Sequence, residues 1–333
     1  MLAAISTNTP REIIFHKKAL PNLKVDEVLI KVSYCGVCGS DLHALNHAQG
    51  YEFVQRPRIL GHEIVGEVVQ VKDKSNSDML GQHVIIESMH YCGKCYNCQK
   101  NRFSICIDNK VIGLHFDGGM AEYVKTKVKY LKKINDLEEE VAVLSEPMAI
   151  AVHAIERAGN IMEDDVILVQ GAGIIGFFVA LLCVEKGATV YISGLEKDYE
   201  NRLSKFNSFG MIPHIVEDGL VSKKVDFIFE CSGSNLAVLN SFQQLKKGGI
   251  AVFVALYEQK TNIFFTELVR NEWSIITSYG CNPVDYELAL SVLKKYSSTL
   301  KELVTYYSFD SINEAINDGL NQRVLKPVIS MKK

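Results

Sequence analysis

Short stretches of alternating apolar and polar positions run through the first 145 residues. The clearest are EVLIKVSY, HEIVGEVVQV and QHVIIES, and glycine and polar turn residues separate them. A period of two residues is typical of strands that bury one face. Residues 1 to about 145 therefore predict a compact, mainly β domain.

A different pattern begins after residue 145. The segment SEPMAIAVHAIERAG has helical spacing, and the apolar runs VILVQ, ATVYIS, VDFIFEC and IAVFVAL follow it, with helical stretches between them. Strands that are apolar on both faces and alternate with helices predict a doubly wound parallel sheet. From about residue 284 the pattern is helix, loop, helix and final strand, which we expect to return to the first domain. The predicted domains are residues 1–147 with 284–333, and residues 148–283.

The stretch VILVQGAGIIGFFVALLCV, residues 166–184, carries no charge over nineteen positions. A membrane-spanning helix needs about 20 apolar residues, so a membrane span is an alternative here. However, Gly171, Gly173 and Gly176 follow a strand-like run and precede a helical one, and the strand ATVYIS comes next. This order predicts a parallel βαβ unit and no membrane span.

Composition limits the classes of function. The chain has 333 residues, 47% hydrophobic and 23% charged, which suits two folded domains. A net charge of −3 without a basic block argues against a nucleic-acid or anionic-membrane surface. The N-terminus lacks the pattern of a signal peptide, so we expect a cytoplasmic protein. Its nine cysteines are then reduced, and they are metal ligands, reactive groups or core residues.

The glycines of the βαβ unit match a dinucleotide-binding fingerprint. GAGIIG comprises Gly171, Ala172, Gly173, Ile174, Ile175 and Gly176, and it stands between a predicted strand and a predicted helix. Such glycines allow a tight turn and close approach of a pyrophosphate to the helix N-terminus. An acidic residue for the ribose hydroxyls is expected about 20 positions later. Gly194 occupies that place and Glu196 lies two residues beyond it, so the choice between NAD and NADP is open, with a preference for NAD.

Four cysteines crowd the segment CGKCYNCQKNRFSIC. The spacing C-x2-C-x2-C-x7-C is typical of a tetrahedral structural zinc site. An iron–sulfur cluster and unliganded surface cysteines are the alternatives. A zinc ribbon that binds nucleic acid is a further alternative, but no basic field surrounds the loop. The four residues are Cys92, Cys95, Cys98 and Cys106.

A second group of candidate ligands surrounds the segment YCGVCGSDLHAL. Cys35 and Cys38 form a C-x-x-C pair, for which a redox dithiol is one interpretation. His62 and Glu63 precede the apolar strand of LGHEIVGEVV. A catalytic zinc ion needs about three protein ligands and leaves one position open. Cys38, His62 and Glu63 are candidates for those ligands.

Taken together, these motifs resemble those of the zinc-containing medium-chain alcohol dehydrogenases. CGVCGSDLH, GHEIVGEV, the four-cysteine loop, GGMAEYV, SEPMAIAVHA, GAGIIG and FECSG stand in that family's order and approximate spacing. The pattern is most similar to the sorbitol, polyol and threonine dehydrogenase branch. The resemblance implies a GroES-like catalytic domain, a Rossmann coenzyme domain and an active-site cleft between them.

The resemblance also implies roles for single residues. Cys38, not Cys35, is expected to face the catalytic zinc, and Asp41 is expected to hold the second nitrogen of His62. Ser40 and His43 match the hydroxyl and imidazole through which the alcohol proton leaves.

Glu146, in SEP, stands where classical alcohol dehydrogenases have a further cysteine ligand and the polyol branch has glutamate. Glu63 and Glu146 are both candidates to bind the catalytic zinc, directly or through water, at different stages of the reaction. The alternative for Glu146 is an acid at a helix N-terminus, stabilised by the helix dipole.

The activity implied is hydride transfer between a secondary alcohol or polyol, or the matching ketone, and NAD(P). Two zinc ions per chain and a homodimer or homotetramer are expected. A catalytically silent coenzyme-binding protein of the same fold is the alternative.

Three positions qualify the resemblance. Tyr306 stands where the family often has histidine, and Ala255 where glycine is frequent near the nicotinamide. Lys326 is interpreted either as a contact to the coenzyme phosphate or as an ordinary surface lysine.

Overall fold

The computed structural model describes residues 1–332. The strands in this part of the chain are β1 (Leu2–Ser6), β2 (Ile13–Lys17), β3 (Glu27–Gly36), β4 (Glu63–Val71), β5 (His83–Ile86), β6 (Met89–His90), β7 (Lys110–Val111), β8 (Tyr123–Lys127), β9 (Leu131–Lys133), β10 (Val166–Gln170), β11 (Thr189–Gly194), β12 (Ile212–Ile215), β13 (Val225–Glu230), β14 (Leu245–Phe253), β15 (Ser274–Thr277), β16 (Val304–Ser308) and β17 (Lys326–Ser330). The α-helices are α1 (Gly39–Leu45), α2 (Glu139–Ala142), α3 (Ser145–Ala158), α4 (Ile174–Glu185), α5 (Ser204–Phe206), α6 (Asn235–Gln244), α7 (Phe265–Asn271), α8 (Asp285–Lys295), α9 (Ser297–Leu300) and α10 (Ile312–Leu320).

The chain divides into two compact units. The first unit comprises Met1–Ala149 and the chain from Cys281 onward, and the second comprises Ile150–Gly280. These boundaries lie within three residues of the domain limits that the sequence pattern predicts.

The first unit is built on a seven-stranded sheet. Its strand order is β16-β17-β3-β4-β5-β9, and β8 also pairs with β3. β17 pairs with β3, so the C-terminal strand belongs to the sheet of the first unit. The sequence pattern did not predict β16, which pairs in parallel with β17. In the antiparallel pair β3 and β4, Gly36 lies opposite Glu63, and this register positions much of the site described below.

The second unit contains a six-stranded parallel sheet. The order β12-β11-β10-β13-β14-β15 is that of a doubly wound dinucleotide-binding fold, as predicted. β10 is the first strand of this sheet in sequence, and it has β11 on one side and β13 on the other. The order of the strands therefore reverses direction at β10. The carboxyl end of β10 is therefore the place in this fold where a ligand crevice is expected.

The uncharged stretch 166–184 forms β10, a glycine turn and most of α4. Residues 176–183 of α4 are buried, which explains why the helix is apolar on every face. Among the described helices, none combines the length and the apolarity that a bilayer crossing requires.

Candidate active site and metal centres

Asp41 links the end of β3 to the segment before β4. Its Oδ2 accepts a hydrogen bond from the Cys38 N–H at 3.0 Å, and its Oδ1 accepts one from the Gly61 N–H at 3.0 Å. Asp41 lies in the first turn of α1, where a carboxylate is favoured by the helix dipole, and it is buried. These contacts fix Cys38, the residue before α1, relative to the residues that follow Gly61.

Cys38, His62 and Glu63 lie together in the first unit. One possible ligand atom of each residue lies within 4.8 Å of those of the other two. His62 and Glu63 are 3% and 1% exposed, so this set of sulfur, nitrogen and oxygen donors is removed from water. Donors of these three types are those that zinc binds in catalytic sites. The residues present therefore fit a zinc ion.

The two ring nitrogens of His62 have different neighbours. Nδ1 lies 3.3 Å from Asp41 Oδ1, and Nε2 lies 3.4 Å from Ser40 Oγ. Burial opposes a positive charge on the ring, but Asp41 and Cys38 outweigh burial and raise the pKa of His62. A carboxylate behind a histidine is the usual means of orienting that ring toward a metal. This is the role that the family resemblance implies for Asp41.

Two glycines leave the space in which the cluster forms. A Cβ at Gly36 would collide with Glu63 Oε2, across the β3–β4 pair. Gly61 has a φ of +94°, and a Cβ there would lie 2.5 Å from Cys35 Sγ. Gly36 and Gly61 are thus needed for the packing of the site, although neither carries a reactive group.

Lys326 is buried against Glu63. Its Nζ donates to Glu63 Oε1 at 2.5 Å and to the Val37 carbonyl oxygen at 3.0 Å, and its exposed fraction is 1%. The interpretation as a surface lysine is therefore wrong, because the side chain is enclosed by the first unit. Burial would lower the pKa of Lys326, but Glu63 outweighs burial and raises it. The contact of Lys326 with a coenzyme phosphate stays a prediction.

Glu146 is a buried carboxylate at the start of α3. Its Oε1 accepts a hydrogen bond from Ser88 Oγ at 2.9 Å, and the residue is 6% exposed. Burial raises the pKa of Glu146, while the nearby charges of His62 and Glu63 act in opposite directions. Its place in the first turn of α3 agrees with the dipole interpretation, but a residue that only caps a helix needs neither burial nor a serine partner. Glu146 lies outside the three-residue group defined by the 4.8 Å separation.

Ser40 and His43 lie one helical turn apart on α1. Residues three apart face the same side of a helix, so these two side chains are neighbours. Ser40 contacts His62, whereas His43 is exposed and its ring stacks on Tyr51 with a centroid distance of 5.6 Å. The pair thus extends from the buried cluster to the protein surface.

Cys35 does not join the cluster. It is 0% exposed, and its Sγ lies 3.6 Å from the Gly36 carbonyl oxygen. Burial raises the pKa of Cys35 well above its ordinary value, which leaves an inert thiol. The redox-dithiol interpretation of the C-x-x-C pair is thereby disfavoured, and Cys35 is a core residue.

The four-cysteine loop forms a second donor set. The sulfur of Cys95 lies 3.5 Å from that of Cys98 and 3.9 Å from that of Cys106, and the sulfurs of Cys92 and Cys98 are 4.0 Å apart. Four thiolates around one zinc ion at about 2.3 Å would have sulfur separations of roughly 3.8 Å. The loop therefore has the dimensions of a closed zinc site.

Backbone donors surround these sulfurs. The Lys94 N–H points at Cys92 Sγ at 3.5 Å and lowers the pKa of that thiol, and hydrogen bonding by the Cys98 N–H lowers the pKa of Cys95 to about 6. Burial acts the other way on Cys98, whose pKa is raised to about 12. Thiolates crowded in this way need a cation to balance them, which is the property of a structural zinc loop.

The glycine loop of the second unit follows β10. Gly171 has a φ of +112°, and a Cβ there would lie 2.9 Å from the Ser232 nitrogen. A Cβ at Gly176 would collide with the Gly171 carbonyl oxygen, so this glycine allows helix and strand to pack closely. No atom lies within 4 Å of a Cβ placed at Gly173, the residue that caps α4. Ile174 and Ile175 open the helix, whose N-terminus is suited to a pyrophosphate.

The packing around Gly194, at the end of β11, explains why no acidic side chain stands at this position. A Cβ at Gly194 would lie 2.9 Å from Ala172 Cβ and 3.0 Å from Leu203 Cδ1, so a larger side chain does not fit without movement. The backbone donors that follow are occupied by carboxylates. The Leu195 N–H donates to Asp198 Oδ2 at 3.2 Å. The Glu196 N–H donates to Glu217 Oε2 at 3.0 Å, and the Glu196 side chain itself is exposed.

The two remaining departures from the family pattern have clear positions. Tyr306, in β16, donates its hydroxyl to the Glu140 carbonyl oxygen at 2.9 Å. Ala255 follows β14, and its N–H donates to the Glu230 carbonyl oxygen at 3.2 Å.

Both halves of the chain match known families. Residues 24–136 match the alcohol dehydrogenase GroES-like domain, and residues 139–331 match the family described as glucose dehydrogenase C-terminus. The chain is 32% identical to sorbitol dehydrogenase of Halalkalibacterium halodurans, over 93% of this chain and 94% of that protein. It is 30% identical to D-arabitol-phosphate dehydrogenase of Enterococcus avium, over 96% and 94%. The crystal structure of 2R,3R-butanediol dehydrogenase from Bacillus subtilis is similar with a TM-score of 0.87 and 25% identity, over 99% of each chain.

The chain therefore belongs to the zinc-containing medium-chain alcohol dehydrogenases, in the branch of the sorbitol and other polyol dehydrogenases. As a member of that family it is an oxidoreductase that transfers hydride between an alcohol and a nicotinamide coenzyme. The alternative of a catalytically silent protein is disfavoured, because Cys38, His62 and Glu63 are all present and gathered.

Proposed function

We propose that this enzyme oxidises a secondary hydroxyl of a polyol, or of a similar small polar alcohol, with NAD. The observation that carries the proposal is the buried group of Cys38, His62 and Glu63, with Asp41 behind His62. Cys38 and His62 would hold a catalytic zinc ion together with a carboxylate, either Glu63 or Glu146. When bound, zinc supplies Lewis acidity, which lowers the pKa of a hydroxyl that it contacts.

The protein's own residues supply the remaining functions. Asp41 orients the His62 ring, and Lys326 holds the buried Glu63 side chain by a hydrogen bond. Ser40 accepts the proton of the substrate hydroxyl as it gives its own proton to His43, which is exposed and releases that proton to solvent. The glycine loop from Gly171 to Gly176 holds the coenzyme, whose nicotinamide accepts the hydride.

The substrate class follows from the oxygen donors of the site. A carboxylate at Glu146, in place of a thiolate, makes the metal environment harder and suits substrates that offer two oxygens. Vicinal diols and polyols have this property, and ethanol does not. The names of the relatives, which include a sorbitol dehydrogenase and a 2R,3R-butanediol dehydrogenase, support the same class.

A second zinc ion is proposed for the four-cysteine loop, giving two per chain. Its role is structural, because the four sulfurs would leave no open position for a substrate. The sulfur separations and the backbone N–H groups that point at Cys92 and Cys106 support this assignment.

The preference for NAD is proposed from the end of β11. A 2′-phosphate of NADP would need free donors or cations there. Instead the N–H groups of Leu195 and Glu196 are taken by Asp198 and Glu217, whose carboxylates would repel a phosphate. These carboxylates could accept hydrogen bonds from the ribose hydroxyls of NAD.

A homodimer or homotetramer is proposed from the edge of the parallel sheet. β15 has a neighbouring strand on one side only in the described chain, and Ile275 within it is 41% exposed. An uncovered apolar edge favours pairing with a second chain. Sedimentation velocity should detect the oligomer, and sedimentation as a monomer across micromolar concentrations would contradict it.

A cytoplasmic location is proposed as well. None of the nine cysteines, all within the described residues, forms a disulfide, as expected in a reducing compartment.

Steady-state kinetics over a panel of alcohols test the proposed function. The panel contains polyols, 2,3-butanediol, threonine and ethanol, each with NAD and with NADP, and zinc is measured on the same protein. We expect the highest kcat/KM with NAD and a polyol or vicinal diol, and a much lower value with ethanol. Equal efficiency with ethanol would contradict the substrate class.

Glu146→Ala tests the carboxylate. If Glu146 takes part in catalysis, the variant loses turnover strongly while its coenzyme affinity and melting temperature stay near those of the parent. If Glu146 only stabilises a helix N-terminus, the change costs about 0.3–1 kcal/mol of stability and little activity. Unaltered turnover would rule out the proposed role.

A further inference from the structure

A buried serine that no sequence motif marks contacts Glu146. Ser88 lies between β5 and β6, 58 residues before Glu146, and it is 1% exposed. Its Oγ lies 2.9 Å from Glu146 Oε1. The hydroxyl of Ser88 donates this hydrogen bond and the Glu146 carboxyl oxygen accepts it.

Tyr286, on α8, holds Ser88 from the other side. Its hydroxyl oxygen accepts a hydrogen bond from the Ser88 N–H at 3.0 Å, and its hydrogen points to Ser88 Oγ at 3.3 Å. Tyr286 is 1% exposed and is among the largest fully buried side chains of the described chain. Because the tyrosine hydrogen is given to Ser88 Oγ, the serine hydrogen is left for Glu146. The three groups therefore form a directed chain from Tyr286 through Ser88 to Glu146.

We infer that Ser88 and Tyr286 are positioning residues, which hold the Glu146 carboxylate in the orientation that its proposed role at the catalytic zinc requires. The inference rests on the proposed function of Glu146. A free glutamate has several rotamers of similar energy, and a hydrogen bond to one carboxylate oxygen selects among them. The segment 87–88 joins two strands, and α8 lies in the C-terminal part of the chain, so folding must bring three distant segments together to make this contact.

The test compares Ser88→Ala and Tyr286→Phe with matched controls. Ser6→Ala removes the hydroxyl of another serine that is 1% exposed, and Tyr307→Phe removes a hydroxyl bonded to Asp318 at 2.7 Å. The first measurement is the rate at which a chromogenic chelator removes the more weakly held of the two zinc ions. The second is the d–d absorption after cobalt is introduced into the emptied site, and the third is kcat and KM for the best alcohol.

Residues that orient metal ligands typically contribute about 10–100-fold to metal affinity or activity. We therefore expect Ser88→Ala to accelerate zinc loss by at least about tenfold, to alter the cobalt spectrum and to lower kcat more than it raises KM. Tyr286→Phe should act in the same direction but less strongly, since it removes the support of the serine and not the donor itself. Both control variants should resemble the parent in all three measurements.

Glu146→Gln and the double variant Ser88→Ala/Glu146→Gln separate this inference from the proposed function. If Ser88 acts through Glu146, its removal has little further effect once Glu146 is replaced. A changed metal site in Glu146→Gln with an unchanged one in Ser88→Ala would overturn the inference alone. An unchanged metal site in Glu146→Gln would overturn the proposed role of Glu146 and the inference with it.

Discussion

Glu63 and Lys326 form a buried ion pair between the start of β4 and the start of the last strand, 263 residues apart in sequence. Their side chains are 1% and 2% exposed, and the lysine also donates to the Val37 carbonyl oxygen. Both charges are removed from water, which is tolerable only because each has the other as a partner. The pair therefore couples the closing strand of the first unit to the proposed zinc site.

Replacing Lys326 by methionine should destabilise the protein strongly. The change leaves the Glu63 carboxylate buried without its cation, and breaking a buried pair in this way costs about 3–5 kcal/mol. Urea unfolding measures this loss. Lys332→Met is the control, because its pair with Glu139 at 3.0 Å is half exposed and is worth about 0–1 kcal/mol. Equal losses of unfolding free energy in the two variants would show that the buried pair contributes no more to stability than the half-exposed pair.

Cys98→Ser should lower thermal stability more than Cys38→Ser. Cys98 belongs to the four-sulfur loop, whose described residues form short helical turns and no long helix or strand, so loss of its metal should loosen the loop. Cys38 is fixed by the Asp41 carboxylate through the backbone and keeps that contact without its sulfur. Zinc analysis and calorimetry on both variants test the difference. One zinc ion or fewer in the saturated parent protein would contradict the two-site assignment.

Glu217→Gln should shift coenzyme preference toward NADP. The variant keeps an acceptor for the Glu196 N–H but removes a negative charge from the end of β11. An exposed pair of charges interacts by about 1 kcal/mol, which corresponds to roughly a fivefold change in the ratio of dissociation constants. Fluorescence titration with NADH and NADPH measures that ratio, and Asp218→Asn serves as the control. A ratio that does not move would exclude Glu217 as a determinant, and failure to bind either coenzyme would instead contradict the proposed function.

His90 should make the protein less stable as the pH falls below about 6.5. Burial lowers the pKa of His90 from 6.5 to about 3, and its ring stacks on Tyr130 at a centroid distance of 3.8 Å. In the unfolded chain His90 therefore binds a proton below about pH 6.5, whereas in the folded protein it binds that proton only near pH 3. The contribution to unfolding free energy falls by up to about 1.4 kcal/mol per pH unit in that window.

His90→Phe, which keeps a ring against Tyr130, should remove this contribution. The difference in unfolding free energy between the variant and the parent should shift in favour of the variant between pH 7.5 and pH 5. His16→Phe, at an exposed position of β2, is the control. A difference that is independent of pH would refute the prediction.

The metal-binding and glycine motifs could be predicted because each depends on residues close together in sequence. The four cysteines lie within fifteen residues, and the fingerprint from Gly171 to Gly176 acts through the turn between one strand and the next helix. The pattern of apolar positions likewise predicted the β-rich first domain and the parallel sheet. The sequence of each single strand indicates whether one face or both faces of that strand are buried.

Other contacts of the site could not be predicted from these local patterns. The pairing of Lys326 with Glu63, and of Tyr286 with Ser88, depends on which strands and helices become neighbours. Gly36 shows the same principle, because only the register of β3 against β4 reveals that a side chain there would occupy the place of Glu63 Oε2. Local spacing thus determined the kinds of donor atoms available to this enzyme. Long-range packing determined which buried charged groups lie beside those donors. A buried charge without a partner is costly, so the tertiary structure must place a partner next to each one.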